Sequence, residues 1–250
     1  MTRYLALIAM ALLVAGQHAA ADDFISNGVK LHYEISGSGE PVLLVHGLGS
    51  SAKMNWDLPG ITAALAKHYR VIALDNRGHG QSDRPEAEDQ YGTQMAEDLV
   101  RLLDHLNIRQ ARLVGYSMGG MIAMKAVTLH PDRFNSVILG GMGWLQEGSP
   151  LQHFWEMAGG RNQAKVPLAC LHGLATLAVT EEQVKAIRVP ITIIVGERDP
   201  CRRMYVQPLR AVRPDWPEKV IAGAGHLNCV AKPDFLTQLE GALNGTPGNR

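Results

Sequence analysis

The sequence carries no surplus charge of either sign, with 24 Lys and Arg against 24 Asp and Glu. That balance supplies no basic field for nucleic acid or an anionic membrane surface. The signatures of metal hydrolases and nucleotide binders are missing too. There is no H-E-x-x-H, no Cys-x-x-Cys and no G-x-x-x-x-G-K, so neither zinc-assisted hydrolysis nor a phosphate cradle has support, and no metal or cofactor is expected. Internal repeats and low-complexity tracts are absent as well. What remains, 46% hydrophobic and 19% charged residues, is an ordinary globular composition. A chain of 250 residues is long enough for one substantial core.

Only the first twenty-odd residues depart from that composition. Arg3 precedes an apolar run over residues 5–15, followed by Ala19-Ala20-Ala21 and Asp22-Asp23. A basic start, an apolar stretch too short to span a bilayer and a small-residue site read as a cleavable signal over residues 1–21, cut after Ala21 or Ala20. The expected product, residues 22–250, is exported to a periplasmic or extracellular space and keeps no membrane span. Its three cysteines then meet an oxidising compartment.

The rest alternates between strand and helix patterns. Asn27-Gly28 is a tight-turn pair between two short runs, and Val29, Leu31, Tyr33 and Ile35 share a face, predicting an antiparallel ribbon. Residues 42–45 are apolar throughout, as a strand covered on both faces is, and residues 71–74, 113–116, 134–139 and 191–195 read as further core strands. Between them lie helical patterns over residues 61–68, 92–107, 118–130 and 204–212, with a last strand at 219–221 and a closing helix over 233–243. Such alternation predicts an α/β fold: a doubly wound, mostly parallel sheet with an N-terminal antiparallel ribbon. The pattern lapses over residues 144–188, where helical pieces at 151–157, 168–177 and 181–187 are separated by Gly159-Gly160 and Pro167. An insertion there predicts a short helical lid over the mouth of the sheet.

One stretch organises the chemistry. The strand Leu113-Val114-Gly115-Tyr116 turns at Ser117 directly into the helical run that begins Met118-Gly119-Gly120. A strand-to-helix bend this sharp forces its central residue into a strained conformation and lifts the side chain clear of the sheet. Side chains at Gly115 or Gly119 would collide across it, which is the content of G-x-S-x-G. The helix start adds free N–H groups beside the serine oxygen. Ser117 is therefore a candidate nucleophile that needs a base.

Four further motifs sit at strand ends: His46-Gly47-Leu48-Gly49, the run Asp75-Asn76-Arg77-Gly78-His79-Gly80-Gln81-Ser82, Gly196-x-x-Asp199, and Gly225-His226. With the elbow, in this order, they make residues 24–243 resemble the α/β-hydrolase-fold enzymes, in the branch of small lidded esterases, lactonases and carbon–carbon bond hydrolases. The resemblance implies a Ser117–His226–Asp199 triad and an oxyanion hole from the backbone N–H groups of Leu48 and Met118. Apolar side chains near the site, among them Met142, Trp144, Phe154 and Trp155, are expected to line a pocket for an uncharged portion of substrate. His46 and His79 are expected to be structural, as is Asp75, and His130 to cap a helix. The position five after His226, often acidic in this branch, is Ala231. Serine at the elbow excludes the aspartate-dependent dehalogenase and epoxide hydrolase chemistries of the same fold.

The activity implied is cofactor-independent hydrolysis of small carboxylic esters or lactones, with a small-molecule substrate. Cleavage of a diketone, perhydrolase or non-haem haloperoxidase chemistry, and a non-catalytic binding protein on the same fold are the alternatives. If Asp199 and His226 are hydrogen-bonded, their loops run side by side. Cys201 and Cys229 then either lie within disulfide range, leaving Cys170 free, or point apart.

Overall fold

The computed structural model describes residues 20–157 and 166–245. Its strands are β1 (Ala20–Ser26), β2 (Val29–Ser36), β3 (Glu40–Val45), β4 (Tyr69–Leu74), β5 (Ala111–Tyr116), β6 (Phe134–Gly140), β7 (Ile191–Gly196) and β8 (Glu218–Ile221). The helices are α1 (Ile61–Leu65), α2 (Thr93–His105), α3 (Met118–Leu129), α4 (Pro150–Glu156), α5 (Leu168–Gly173), α6 (Glu181–Ala186), α7 (Gln207–Val212) and α8 (Pro233–Gly245). All eight strands form one sheet in the order β1-β2-β4-β3-β5-β6-β7-β8. The pairs β1/β2 and β2/β4 are antiparallel and the others parallel. Asn27 and Gly28 take φ of 47° and 80°, the two positive values a two-residue hairpin turn requires.

Side-chain alternation along the central strands fills two apolar layers. Leu43 and Val45 of β3, Ile72 and Leu74 of β4, and Ile193 and Val195 of β7 join the layer that holds α2 and α3. Their neighbours Val42, Leu44, Val71, Ala73 and Ile194 join the opposite layer, with Phe235, Leu239 and Leu243 of α8. Neither face of these strands meets water, which is why the runs are apolar without alternation. Truncating one such Leu to Ala removes about 2–5 kcal/mol.

This strand order positions the site. From β3 the chain crosses to β4 on one side and later returns to β5 on the other, so the loops after β3 and β5 part at a crevice at the carboxyl ends of the strands. The segment between β6 and β7 holds α4, α5, α6 and the single-turn helix Leu174–Leu177. Its only pairing among the described residues is the bridge Gln146↔Val179. Ser149 caps α4, and Thr180 with Gln183 forms a capping box at α6. The expected Gly159-Gly160 break lies outside the described residues.

Some boundaries differ from the sequence pattern. The first helix ends at Leu65 and continues as a turn. The helix expected over 204–212 opens as a wide π turn, Arg202–Val206, before α7. Residues 1–19 of the expected signal lie outside the described residues. Ala20 and Ala21 pair with Ile35 and Glu34 in β1, so cleavage after Ala21 removes two pairs from the ribbon. No helix among the described residues is long and apolar enough to cross a membrane.

Candidate active site

Ser117 stands between β5 and α3 with φ 55° and ψ −118°, a conformation a non-glycine residue holds only under strain. The strain is locked from both sides. Its N–H donates to Gly140 O at 2.8 Å, and its carbonyl accepts from Gly120 and Met121 at 2.8 and 3.2 Å. A Cβ on Gly115 would run into the Gly119 carbonyl, and one on Gly119 into the Val45 carbonyl. The two glycines of the elbow are thus required by close backbone approach, one of them to the neighbouring strand.

The Ser117 Oγ lies 2.8 Å from His226 Nε2, and His226 Nδ1 lies 2.8 Å from Asp199 Oδ2. A carboxylate accepts only, so Nδ1 carries the proton and Nε2 is left to accept from the serine hydroxyl. Asp199 Oδ1 accepts from the Cys201 N–H at 2.8 Å. The carboxylate is completely buried, whereas the His226 ring is about a quarter exposed. Three strand ends meet here: β5 carries Ser117, the loop after β7 carries Asp199, and the loop after β8 carries His226.

The backbone N–H groups of Leu48 and Met118 have no hydrogen-bond acceptor among the described residues. Both residues line the cavity that holds Ser117. Their loop is held from below: Gly47 N–H donates to Asn55 Oδ1 at 3.1 Å, and Asn76 Nδ2 donates to His46 O at 3.2 Å. The Asn76 N–H also donates to His46 Nε2 at 3.0 Å, so the ring proton sits on Nδ1 and is donated to Gly47 O at 2.8 Å. His46 is thereby neutral and structural. Burial lowers its pKa to about 4, and that of His79, packed edge-on against it, to about 3. Asp75 accepts from the N–H groups of Ala52 and Gln81 at 2.7 and 2.9 Å, well engaged in loop structure. His130 ends α3 with its backbone, and its ring pairs with Glu97 at 3.0 Å.

The cavity over Ser117 has a volume of about 510 Å³, within the range of small-molecule sites. Leu48, Met118, Met142, Phe154 and Trp155 line it as expected. Trp144 does not, which corrects its assignment to the pocket: it is buried, its indole N–H donates to Val179 O at 2.8 Å, and its backbone N–H donates to Tyr205 O. An indole N–H needs an acceptor when buried, and the one it finds lies inside the α4–α6 segment. The lining also includes Met121, Leu151, Leu174, Cys201, Met204 and Tyr205, none of which the sequence reading placed in the pocket. Met121 was recoverable, being one helical turn from Met118. Met204 and Tyr205 were not, because a π turn breaks the helical spacing on which their facing depends. A second cavity of about 580 Å³ lies at the opposite end of β7, around Pro190 and Ile191, and holds none of these residues.

The cysteines correct the bridged alternative: Cys170, Cys201 and Cys229 are all free thiols. Cys201 turns into the pocket, and Cys229 is buried in the layer beneath it with Tyr116 and Phe235. The two loops are side by side, but the sulfurs are directed to different faces. Burial pushes all three thiols up to about 12, with Asp199 adding to the shift at Cys201 and Cys229.

Comparison with known proteins agrees with this architecture. A 2-hydroxymuconate semialdehyde hydrolase of Pseudomonas sp. (strain CF600) is 41% identical over 122 residues, 48% of this chain and 42% of that protein. A putative non-heme bromoperoxidase of Mycobacterium tuberculosis is 36% identical over 112 residues, 44% of this chain and 41% of the other. The chain therefore aligns with less than half the length of these curated relatives. Among solved structures, a carboxylesterase of Nitrososphaera gargenis superposes with a TM-score of 0.72 at 22% identity, covering 90% of this chain and 98% of that one. The family model described as alpha/beta hydrolase fold matches residues 40–165, from β3 through the elbow and into the segment after β6. On that match and this sheet, the chain belongs to the alpha/beta hydrolase fold family.

Proposed function

We propose that this protein is a serine hydrolase of small, uncharged carboxylic esters or lactones. The observation that carries the reading is the continuous hydrogen-bonded path Ser117–His226–Asp199 opening on an apolar cavity. In the reaction, His226 Nε2 takes the serine proton as Oγ attacks the ester carbonyl. Asp199 holds the ring in the required tautomer and stabilises the imidazolium. The tetrahedral oxyanion is received by the N–H groups of Leu48 and Met118, each such donor contributing about 3–4 kcal/mol in comparable sites. His226 then returns the proton to the leaving alcohol, and an acyl-enzyme on Ser117 remains. Water activated by the same ring releases the acid. Residues 144–188 act as the lid that selects the acyl or alcohol group, and the N-terminal segment supports export.

Carbon–carbon bond hydrolysis is the second reading, favoured by the likeness to the 2-hydroxymuconate semialdehyde hydrolase. A muconate-type substrate carries a carboxylate, and a buried carboxylate needs a cationic partner. No Lys or Arg is among the described residues lining the cavity, which favours the neutral ester. The test is a panel of short- and long-chain p-nitrophenyl esters, lactones and a vinylogous diketo acid, run with the protein and with Ser117→Ala. Turnover of neutral esters that disappears in the folded variant is expected. Ester turnover surviving in pure Ser117→Ala, or preference for the diketo acid, overturns the reading.

A further inference from the structure

We propose that Asp199, Cys201 and His226 together form a reversible inhibitory site for a thiophilic divalent cation, with Zn²⁺ as the representative probe. A carboxylate oxygen, the Cys201 sulfur and a His226 ring nitrogen all lie within 4.8 Å of one another. Among the described residues this is the one group of three or more such side chains so arranged. The donor set is the mixed oxygen, nitrogen and sulfur set that zinc accepts. Zinc bond lengths of about 2.0–2.3 Å place tetrahedral ligands roughly 3.3–3.8 Å apart, so the shift needed is about an ångström. Asp199 and Cys201 share one loop, tied by the Cys201 N–H to Asp199 Oδ1. That tie keeps two of the three ligands together whether or not the ion is present.

Charge and access favour the same occupant. Cys201 and His226 line the cavity, so an ion arrives by the route a substrate would take. On binding, the thiol proton leaves to solvent and the sulfur–metal bond forms in its place. The imidazole binds neutral, its one proton carried on the nitrogen that does not ligate. Thiolate and carboxylate then cancel the charge of the dication, so the filled site is neutral in an apolar pocket. Water occupies the remaining position.

Such an ion is incompatible with the hydrogen-bonded path. Nδ1 is engaged with Asp199 and Nε2 with Ser117, so whichever nitrogen the metal takes, it takes from that path. The cation is thus an off-switch and not a cofactor.

Titration calorimetry with Zn²⁺ on the whole chain and on Ser117→Ala tests the site without relying on turnover, so failure of the hydrolase reading leaves this result standing. One equivalent should bind both proteins, at least tenfold more weakly in Cys201→Ser and unchanged in Cys170→Ser. Co²⁺ should give a near-ultraviolet thiolate-to-metal absorption that Cys201→Ser abolishes. In the unaltered protein Zn²⁺ should protect Cys201 from alkylation, an arm that needs no variant to fold. Where ester turnover is measured, Zn²⁺ should suppress it and a chelator restore it. Equal affinity in folded Cys201→Ser, no thiolate band, or unprotected Cys201 at saturating Zn²⁺ overturns the proposal.

Discussion

The phenol of Tyr116 donates a 2.5 Å hydrogen bond to the backbone carbonyl of His226, and the two rings lie 5.7 Å apart. The residue immediately before the elbow serine therefore holds the loop that carries the histidine. Burial raises the Tyr116 pKa well above the ordinary tyrosine value, so the group stays a donor at any working pH. Tyr116→Phe keeps the ring and loses the tether. We expect kcat to fall about tenfold, on the order of one charge-neutral hydrogen bond, with KM nearly unchanged. Equal rates in the two proteins would count against a positioning role.

The buried aspartates Asp199 and Asp75 should separate cleanly on substitution. Asp199→Asn leaves the packing intact but presents an amide to His226, favouring the wrong tautomer, and should lower kcat by about 10⁴. Asp75→Asn keeps one accepting oxygen but turns an amide NH2 toward the other N–H, so one of the Ala52 and Gln81 N–H groups loses its acceptor. Its cost should appear in the urea midpoint, roughly 1–3 kcal/mol, with a much smaller loss in turnover. Steady-state rates and unfolding curves on both folded variants decide the assignment.

Pocket-lining and packing residues of the α4–α6 segment and of the turn after β7 should also differ. Phe154 is exposed and lines the cavity, so Phe154→Ala should change relative rates between acyl groups several-fold at little cost in stability. Tyr205 is buried and lines the same cavity, so Tyr205→Phe should shift preference among substrates bearing a neutral oxygen function. Trp144→Phe loses the bond to Val179 and should lower the melting temperature while leaving the ratio of rates alone. Uniform effects on every substrate from Phe154→Ala would remove the segment from specificity.

Acid should weaken the fold through two buried histidines. His46 and His79 have folded pKa values of about 4 and about 3 against an ordinary 6.5, chiefly through burial. The unfolded chain takes up these protons as pH drops below 6.5 and the folded chain does not. Stability therefore falls with decreasing pH in that window, by up to about 1.4 kcal/mol per pH unit for each ring. Urea midpoints at pH 7.5 and 5 measure the fall, and ring-proton NMR should show both histidines still neutral at pH 5. A flat midpoint with both rings protonated in the folded state would refute it.

Local rules were enough to read the elbow and the sheet from the sequence alone. Gly115, Ser117 and Gly119 specify the bend as a short pattern readable along the chain, and the apolar runs at residues 42–45 and 71–74 report burial on both faces. The triad partners Asp199 and His226 came from the family resemblance that the order of motifs carries, and a parallel sheet, which gathers its carboxyl-terminal loops at one edge, brings them beside Ser117. Tertiary structure alone decided the side chains between those anchors. Trp144 turns inward because its indole N–H meets the Val179 carbonyl, and Tyr205 reaches the cavity because a π turn rotates its face. Cys201 and Cys229 part because one sits on the pocket wall and the other under Tyr116. Each outcome depends on how a short helix or turn is rotated against a distant neighbour, and residue spacing along the chain does not encode that rotation.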